Sequence, residues 1–240
     1  MRLFTELGQA CLDLLFPIIC VGCGQVGELL CADCAQLVEP MPEDVCERCG
    51  RPMAVGCSFW CQQADPPLQL FRAAASYYVP PLHEAIHQFK YNNQPELASD
   101  LAKYLVASFD ASCWTPIRNT ITAVAPIPGD PKRKQERGYN QAELLADAFC
   151  DARHLPLYTE LLEKVETTES QTSLSWSERT KNVEGKYIAS PNMAGHHLLL
   201  IDDVSTSGAT MATCSSAALS AGAACVYGLS IAMPLRDHDS

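Results

Sequence analysis

Basic residues are scarce in this chain. Its 240 residues carry Lys+Arg 17 against Asp+Glu 28, a formal net charge of -11. That balance argues against a protein that coats nucleic acid non-specifically over its whole surface. Charge of either sign is sparse at 19%, and the 48% of hydrophobic residues is too high for a disordered chain. Ordinary counts of Gly 13 and Pro 16 exclude a fibrous repeat. Long apolar runs are missing as well. The uncharged stretch from Leu14 to Gly27 is too short to span a bilayer and contains Pro17. Val204 to Leu235 is uncharged but rich in Ser, Thr and Gly, which reads as buried α/β core. Glu6 and Asp13 interrupt any apolar signal core near the N-terminus. These absences predict no membrane insertion and a reducing, cytoplasmic setting, with one main core and a small appendage.

Cysteine is in surplus, and its distribution is uneven. Of 13 cysteines, nine fall in the first 61 residues: Cys11, Cys20, Cys23, Cys31, Cys34, Cys46, Cys49, Cys57 and Cys61. A secreted disulfide protein would spread them through its fold, so clustering points to metal. Cys20-x-x-Cys23 and Cys31-x-x-Cys34 form one set, Cys46-x-x-Cys49 and Cys57-x-x-x-Cys61 a second. A Cys-x-x-Cys turn places two thiolates on one side of a knuckle, and two knuckles close a tetrahedral, structural zinc shell. Gly24 and Gly50 follow the second cysteine of their knuckles, where positive φ is needed. Redox pairs and plain buried cysteines are the competing readings. Paired knuckles favour zinc, one or two ions, with the second set weaker because Cys57 to Cys61 is one residue longer than usual. Exchange of ligands between the sets is open. Cys11 fits a short amphipathic N-terminal helix. Gly22-x-Gly24-x-x-Gly27 matches a dinucleotide fingerprint, but lacks the strand and helix that give it meaning.

Asp65-Pro66-Pro67 marks a boundary, giving a Cys-rich zinc-binding domain over 1–67 and an α/β domain over 68–240. Strands are expected at Arg72 to Val79, Thr120 to Ile127, Leu155 to Leu161, Leu198 to Ile201 and Cys225 to Met233. Helices are expected at His83 to Tyr91, Pro95 to Phe109, Asn140 to Ala152 and Thr210 to Ser220, with a polar segment from Glu166 to Lys181. This alternation implies a parallel sheet with helices on both faces. The two cysteine sets look like a loose duplication. None of the six histidines shows zinc-like pairing with cysteine.

The most informative segment is Leu198-Leu199-Leu200-Ile201-Asp202-Asp203-Val204-Ser205-Thr206-Ser207-Gly208-Ala209-Thr210. An apolar strand delivers two carboxylates to its C-terminal end, and a hydroxyl-rich loop with one glycine opens a helix. Such a loop binds a phosphate monoester through backbone N–H groups and hydroxyls. The acids can accept hydrogen bonds from vicinal ribose hydroxyls. No Gly-Lys precedes the Thr, so this is not a Walker A loop. The competing reading is an ordinary capped helix after an Asp-rich turn. The loop after Pro128 carries Lys132, Arg133, Lys134 and Arg137, cations suited to pyrophosphate. A solvated basic loop is the competing reading for Lys132 and Lys134.

This segment resembles the signature of the phosphoribosyltransferases, whose loop holds the 5-phosphate of phosphoribosyl pyrophosphate (PRPP). The remaining motifs resemble one branch, the ComF family of competence-associated, amidophosphoribosyltransferase-like proteins, which includes a relative linked to gluconate utilisation. They are the cysteine sets, Phe89-Lys90-Tyr91, Pro126-Ile127-Pro128, Arg137-Gly138-Tyr139-Asn140-Gln141-Ala142, and Gln171-x-x-Leu174-x-x-x-Glu178-Arg179-x-x-Asn182-Val183. The resemblance covers roughly Leu14 to Met233 and implies a type I phosphoribosyltransferase-like fold. It implies Asp202 and Asp203 as catalytic carboxylates. PRPP would be held by Asp202, Asp203, Val204, Ser205, Thr206, Ser207, Gly208, Ala209, Thr210, Arg137, Gln141 and Arg179, with Mg²⁺ as its companion. Purine-salvage members carry a basic Asp where Thr206 stands, so a purine acceptor is disfavoured. Three functional classes follow. The first is an enzyme transferring phosphoribosyl to an unknown nitrogenous acceptor, with a role in DNA uptake and natural transformation. The second is a non-catalytic PRPP-responsive module binding single-stranded DNA or a protein partner, such as a DNA-uptake helicase or processing protein. The third is a purely structural zinc adaptor. Residues 1–70 hold three basic and nine acidic side chains, so DNA contact is expected on the body, with Tyr139 or Tyr91 as stacking platforms.

Overall fold

The computed structural model describes residues 17–42, 44–165 and 186–235. Its centre is a four-stranded, fully parallel sheet in the order β1-β6-β5-β2, with β1 Leu70–Ser76, β2 Ala123–Pro126, β5 His197–Val204 and β6 Cys225–Met233. The apolar run Leu198 to Ile201 is wholly buried because side chains alternate between two covered faces. Leu199 and Ile201 pack into one core, and Leu198 and Leu200 into the other.

The first face is covered by α2 (Pro80–Tyr91), α3 (Leu97–Phe109) and α5 (Gln141–Arg153). Each brings an apolar stripe at helical spacing: Leu82, Ile86 and Phe89; Leu97, Leu101 and Leu105; Leu145 and Phe149. The second face is covered by α6 (Ala209–Ser220) through Met211, Cys214 and Ala218, and by a two-stranded antiparallel ribbon of β3 (Leu162–Lys164) and β4 (Tyr187–Ala189).

The cysteine-rich segment straddles the edge strand β1. Its first half, with the short helix α1 (Ala32–Gln36), lies on the α2–α3 side, where the Tyr104 hydroxyl donates to Ala35 O. Its second half lies on the α6 side, burying Trp60 beside Phe71. The connector between them runs antiparallel along β1: Pro40 bridges Ala75, and Met41 N donates to Ala74 O at 3.0 Å. It therefore covers an edge that would otherwise be an open template for pairing.

Three expectations need correction. The basic segment after Pro128 is a helix, α4 (Pro131–Arg137), and not a loop. Asp130 caps it by accepting from Lys132 N, Pro131 supplies its first position, and Gly138 stops it at φ 81°. The strand expected at Leu155 to Leu161 is reduced to one parallel bridge from Leu157 to Val124, and the strand proper starts at Leu162. Pairing along that stretch fails because β2 is only four residues long. The first strand begins at Leu70 rather than Arg72 and stops before Tyr77. Cys11, the segment Glu166 to Lys181, Asn182, Val183 and His238 lie outside the described residues. Among the described residues no helix is long and apolar enough to cross a membrane.

Candidate functional site

The eight predicted metal ligands resolve into two separate sets of four. Within Cys20, Cys23, Cys31 and Cys34, and within Cys46, Cys49, Cys57 and Cys61, all sulfurs lie within 4.8 Å of one another. The Cys23–Cys31 and Cys46–Cys61 sulfur pairs are 3.6 and 3.8 Å apart. Tetrahedral zinc with Zn–S of about 2.3 Å puts its sulfurs about 3.8 Å apart. The geometry fits two structural zinc ions, with no exchange of ligands between the sets.

The two knuckles repeat each other bond for bond. Cys20 N donates to Gln25 O at 2.7 Å and Cys46 N to Arg51 O at 2.8 Å; Gly24 N returns to Cys20 O and Gly50 N to Cys46 O. Ile19 pairs with Val26 as Val45 pairs with Pro52. The glycines have φ of 78° and 65°, as expected. The knuckle also prepares its first cysteine for metal. Burial works to raise the Cys20 thiol, but N–H donors of Cys31, Cys23 and Gly22 outweigh it and hold it down to about 6. Cys46 is likewise held down to about 7, against burial, by N–H groups of Cys49 and Arg48.

A second site lies at the C-terminal edge of the sheet. A cavity of about 330 Å³ is walled by the end of α2, the start of α5, α4, β3 and the end of β5. Lys90, Arg133, Lys134, Arg137 and Lys164 face it, opposed by Asp130, Asp202 and Asp203. A smaller hollow formed by Val204 through Met211 adjoins it at Asp202, Val204 and Thr210. The predicted loop residues Ser205, Thr206, Ser207, Gly208 and Ala209 therefore all line one concavity. Gly208 sits at φ 76° ahead of α6, and Ser205 N is pinned to Ala232 O at 3.0 Å.

The two acids differ. Asp203 pairs with Lys90 at 3.0 Å. Burial, and then the adjacent Asp203 charge, push the Asp202 carboxyl up to about 8, with Lys90 pulling the other way. Asp130 is held below the usual carboxylate range, chiefly by its hydrogen bond to Lys164 Nζ at 3.0 Å. Burial also pushes the Tyr187 hydroxyl well up, beside Thr210.

The Arg137-to-Ala142 motif is now legible residue by residue. The Arg137 guanidinium lies 4.9 Å over the Tyr91 ring and donates to Gln141 Oε1 at 3.1 Å. Gly138 ends α4. Tyr139 donates its hydroxyl to Phe89 O at 2.7 Å, fixing the motif to α2. Of the two expected platforms Tyr91 is the more exposed, at 62%, but the Arg137 guanidinium already covers one face of its ring. Asn140 caps α5 by accepting from Ala142 N and donates to Ile127 O. Gln141, 7% exposed, is among the residues that line the cavity, and its buried Nε2 has no hydrogen-bond partner among the described residues. A buried orphan donor on a residue of the cavity wall is a candidate partner for a ligand oxygen. Arg179 lies outside the described residues.

Lys90, Lys164 and Tyr91 belong to the site without having been singled out as ligands. Lys90 was visible as the middle of Phe89-Lys90-Tyr91: Phe89 faces the core, so its neighbour one step round the helix turns to the cleft. Lys164 carried no signal, because its place depends on the β3–β4 pairing.

Residues 11–64 match the family described as "Double zinc ribbon domain". The chain is 30% identical over 203 residues to the "DNA utilization protein YhgH" of Salmonella typhi, covering 82% of this chain and 87% of that one. It is 28% identical over 193 residues to the "Competence protein ComFC" of Bacillus subtilis, covering 77% and 75%. Among solved structures, a glutamine phosphoribosylpyrophosphate (PRPP) amidotransferase from B. subtilis, complexed with ADP and GMP, matches at 17% identity and a TM-score of 0.41. The match covers 60% of this chain and 30% of that one.

Proposed function

The chain belongs to the ComF/YhgH family, and we propose that it binds Mg²⁺-PRPP at the sheet edge and transfers the phosphoribosyl group to a nitrogenous acceptor. The observation that carries this reading is the junction of two hollows at Asp202, Val204 and Thr210. One is a small hydroxyl- and glycine-rich nest; the other is a cationic cleft in an acidic chain. PRPP has the same two-ended chemistry, a phosphate monoester at one end and a pyrophosphate at the other.

In this reading the Val204-to-Thr210 loop takes the 5-phosphate through backbone N–H groups and the hydroxyls of Ser205, Thr206 and Ser207. Asp202 and Asp203 accept from the ribose hydroxyls and face the positive charge that develops at the anomeric carbon. Lys90, Arg137 and the Gln141 amide receive the pyrophosphate, which leaves with the bonding electron pair as the acceptor nitrogen forms its bond to the same carbon. The acceptor's proton passes to solvent. Mg²⁺ bound to the pyrophosphate would supply charge neutralisation that lowers the cost of its departure. The names of the relatives, a DNA utilization protein and a competence protein, support a role in the handling of DNA.

A second reading, a PRPP-responsive module that holds single-stranded DNA, draws on α4. Its Lys132 and Arg133 are exposed, and Tyr91, 62% exposed, shares the cavity wall with Arg133. Both readings rest on PRPP binding. Calorimetric titration of zinc-loaded protein with PRPP, with and without Mg²⁺, is the test, and Asp203→Ala should weaken binding by about tenfold or more. Silence in the wild type sinks both. Binding without pyrophosphate release over a broad amine panel leaves the module.

A further inference from the structure

The extra residue in the second cysteine set has a structural consequence. Between Cys57 and Cys61 the chain makes one tight turn, with Cys61 N donating to Ser58 O at 3.0 Å. That turn sends Trp60, the residue before a metal ligand, inward to 1% exposure. Its indole ends against the phosphate loop. A Cβ built on Gly208 would lie 2.7 Å from Trp60 Nε1 and 3.3 Å from Cδ1. Gly208 is thus required twice over, by its φ of 76° and by the ring edge pressed to its backbone.

The ribbon that carries Trp60 is itself held hard to the sheet. Phe71 N donates to Arg48 O at 2.7 Å, and the Arg72 guanidinium donates to Glu47 O at 2.9 Å. A Cβ on Gly50 would come within 2.7 Å of Phe71 O. The position of the indole is therefore fixed from two sides: by β1 below, and by the cysteine shell that closes the turn. The other ribbon offers a built-in contrast, since it sits on the opposite face against α2 and α3, with Gly22 close to Pro81.

We infer that Trp60 is a positioning residue for the phosphate loop, and that through it the second zinc ribbon and phosphate binding form one coupled unit. This rests on the PRPP reading above and deepens it. A ribbon without its ion loses the turn that aims the indole. Gly208 then loses its backing, and the loop samples conformations in which its N–H groups no longer converge. Coupling is reciprocal: whatever factor zinc contributes to PRPP affinity, PRPP must return to zinc affinity at that site.

The test uses the full chain loaded with both zinc ions and Mg²⁺-PRPP as the probe. Competition with a chromophoric chelator reads zinc affinity, and Cys23→Ser isolates the second site while Cys57→Ser isolates the first. PRPP should tighten zinc at the second site by about tenfold and leave the first unchanged. Trp60→Ala should keep both ions, lose that protection and bind PRPP about tenfold more weakly, while Trp60→Phe retains most of both. Labelling with 5-fluorotryptophan adds a readout independent of folding losses. The Trp60 signal, assigned through Trp60→Phe, should shift on PRPP addition. PRPP that binds the wild type without moving this signal, or that protects both zinc sites alike, overturns the coupling alone. A wild type that binds no PRPP overturns the phosphate-site reading and this inference with it.

Discussion

Asp202 gives a quantitative handle on the site. Its carboxyl is pushed up to about 8 by burial and by Asp203, while an Asp in the unfolded chain titrates near its ordinary value of about 3.9. Between those values the folded protein holds a proton that the unfolded chain has lost. Stability from this group is therefore fully present below the unfolded value and is lost as pH rises through about 8. One proton of difference costs about 1.4 kcal/mol per pH unit, so stability falls steadily between pH 5 and 7. Asp202→Asn keeps the shape of the neutral acid and cannot titrate. Urea unfolding of both zinc-loaded proteins at several pH values should show the wild type losing stability relative to the variant at that slope. Zinc release affects both equally and cancels in the difference. The same ionisation should appear on ligand binding. If Asp202 accepts from a ribose hydroxyl as a carboxylate, PRPP titrations at pH 7 should release a proton, seen as a dependence of the heat on buffer ionisation enthalpy. Parallel stability curves for wild type and Asp202→Asn would refute the burial argument.

Lys90→Met removes the cation 3.0 Å from Asp203 and leaves two adjacent acids uncompensated; PRPP affinity should fall at least about tenfold, measured by calorimetry. Arg137→Lys keeps the charge but loses the guanidinium contact over Tyr91 and its hydrogen bond to Gln141 Oε1. It should behave nearly as poorly as Arg137→Ala in the same titration. Asn140→Ala deletes the α5 cap and the buried bond to Ile127 O, and should cost about 1–3 kcal/mol in denaturant unfolding with little change in zinc content.

The central strands and long helices were legible because burial imposes a period: Leu198 to Ile201 on both sheet faces, and Phe89, Leu105 and Phe149 on helix stripes. The two cysteine sets and the concave Val204-to-Thr210 loop were legible because each is local in sequence. Helix α4 was missed although its signals were present: Asp130-Pro131 at one end and Gly138 at the other. Its Pro-Lys-Arg-Lys-Gln-Glu-Arg run has no apolar stripe, so periodicity is silent and capping alone defines the element. Lys164 and Trp60 could not be assigned from sequence at all, and Tyr91 was singled out as a stacking platform but not as the partner of Arg137. Each reaches its site through a contact made at long range, which one chain without its fold does not encode in any spacing.

The net charge of -11 describes the chain and misdescribes the site. In the cleft, Lys90 answers Asp203, Lys164 answers Asp130, and Lys134 answers Glu143. Arg137 is satisfied differently, by an aromatic face and a neutral amide oxygen, and makes no ion pair among the described residues. Its charge is held in position without being neutralised, as the proposed pyrophosphate site would require. The net negative charge of the chain disfavours polyanions over its surface at large. Acidity of the whole and cation surplus in the cleft therefore act together in the proposed function, favouring an anion at the edge of the sheet where Asp202 and the Val204-to-Thr210 loop meet.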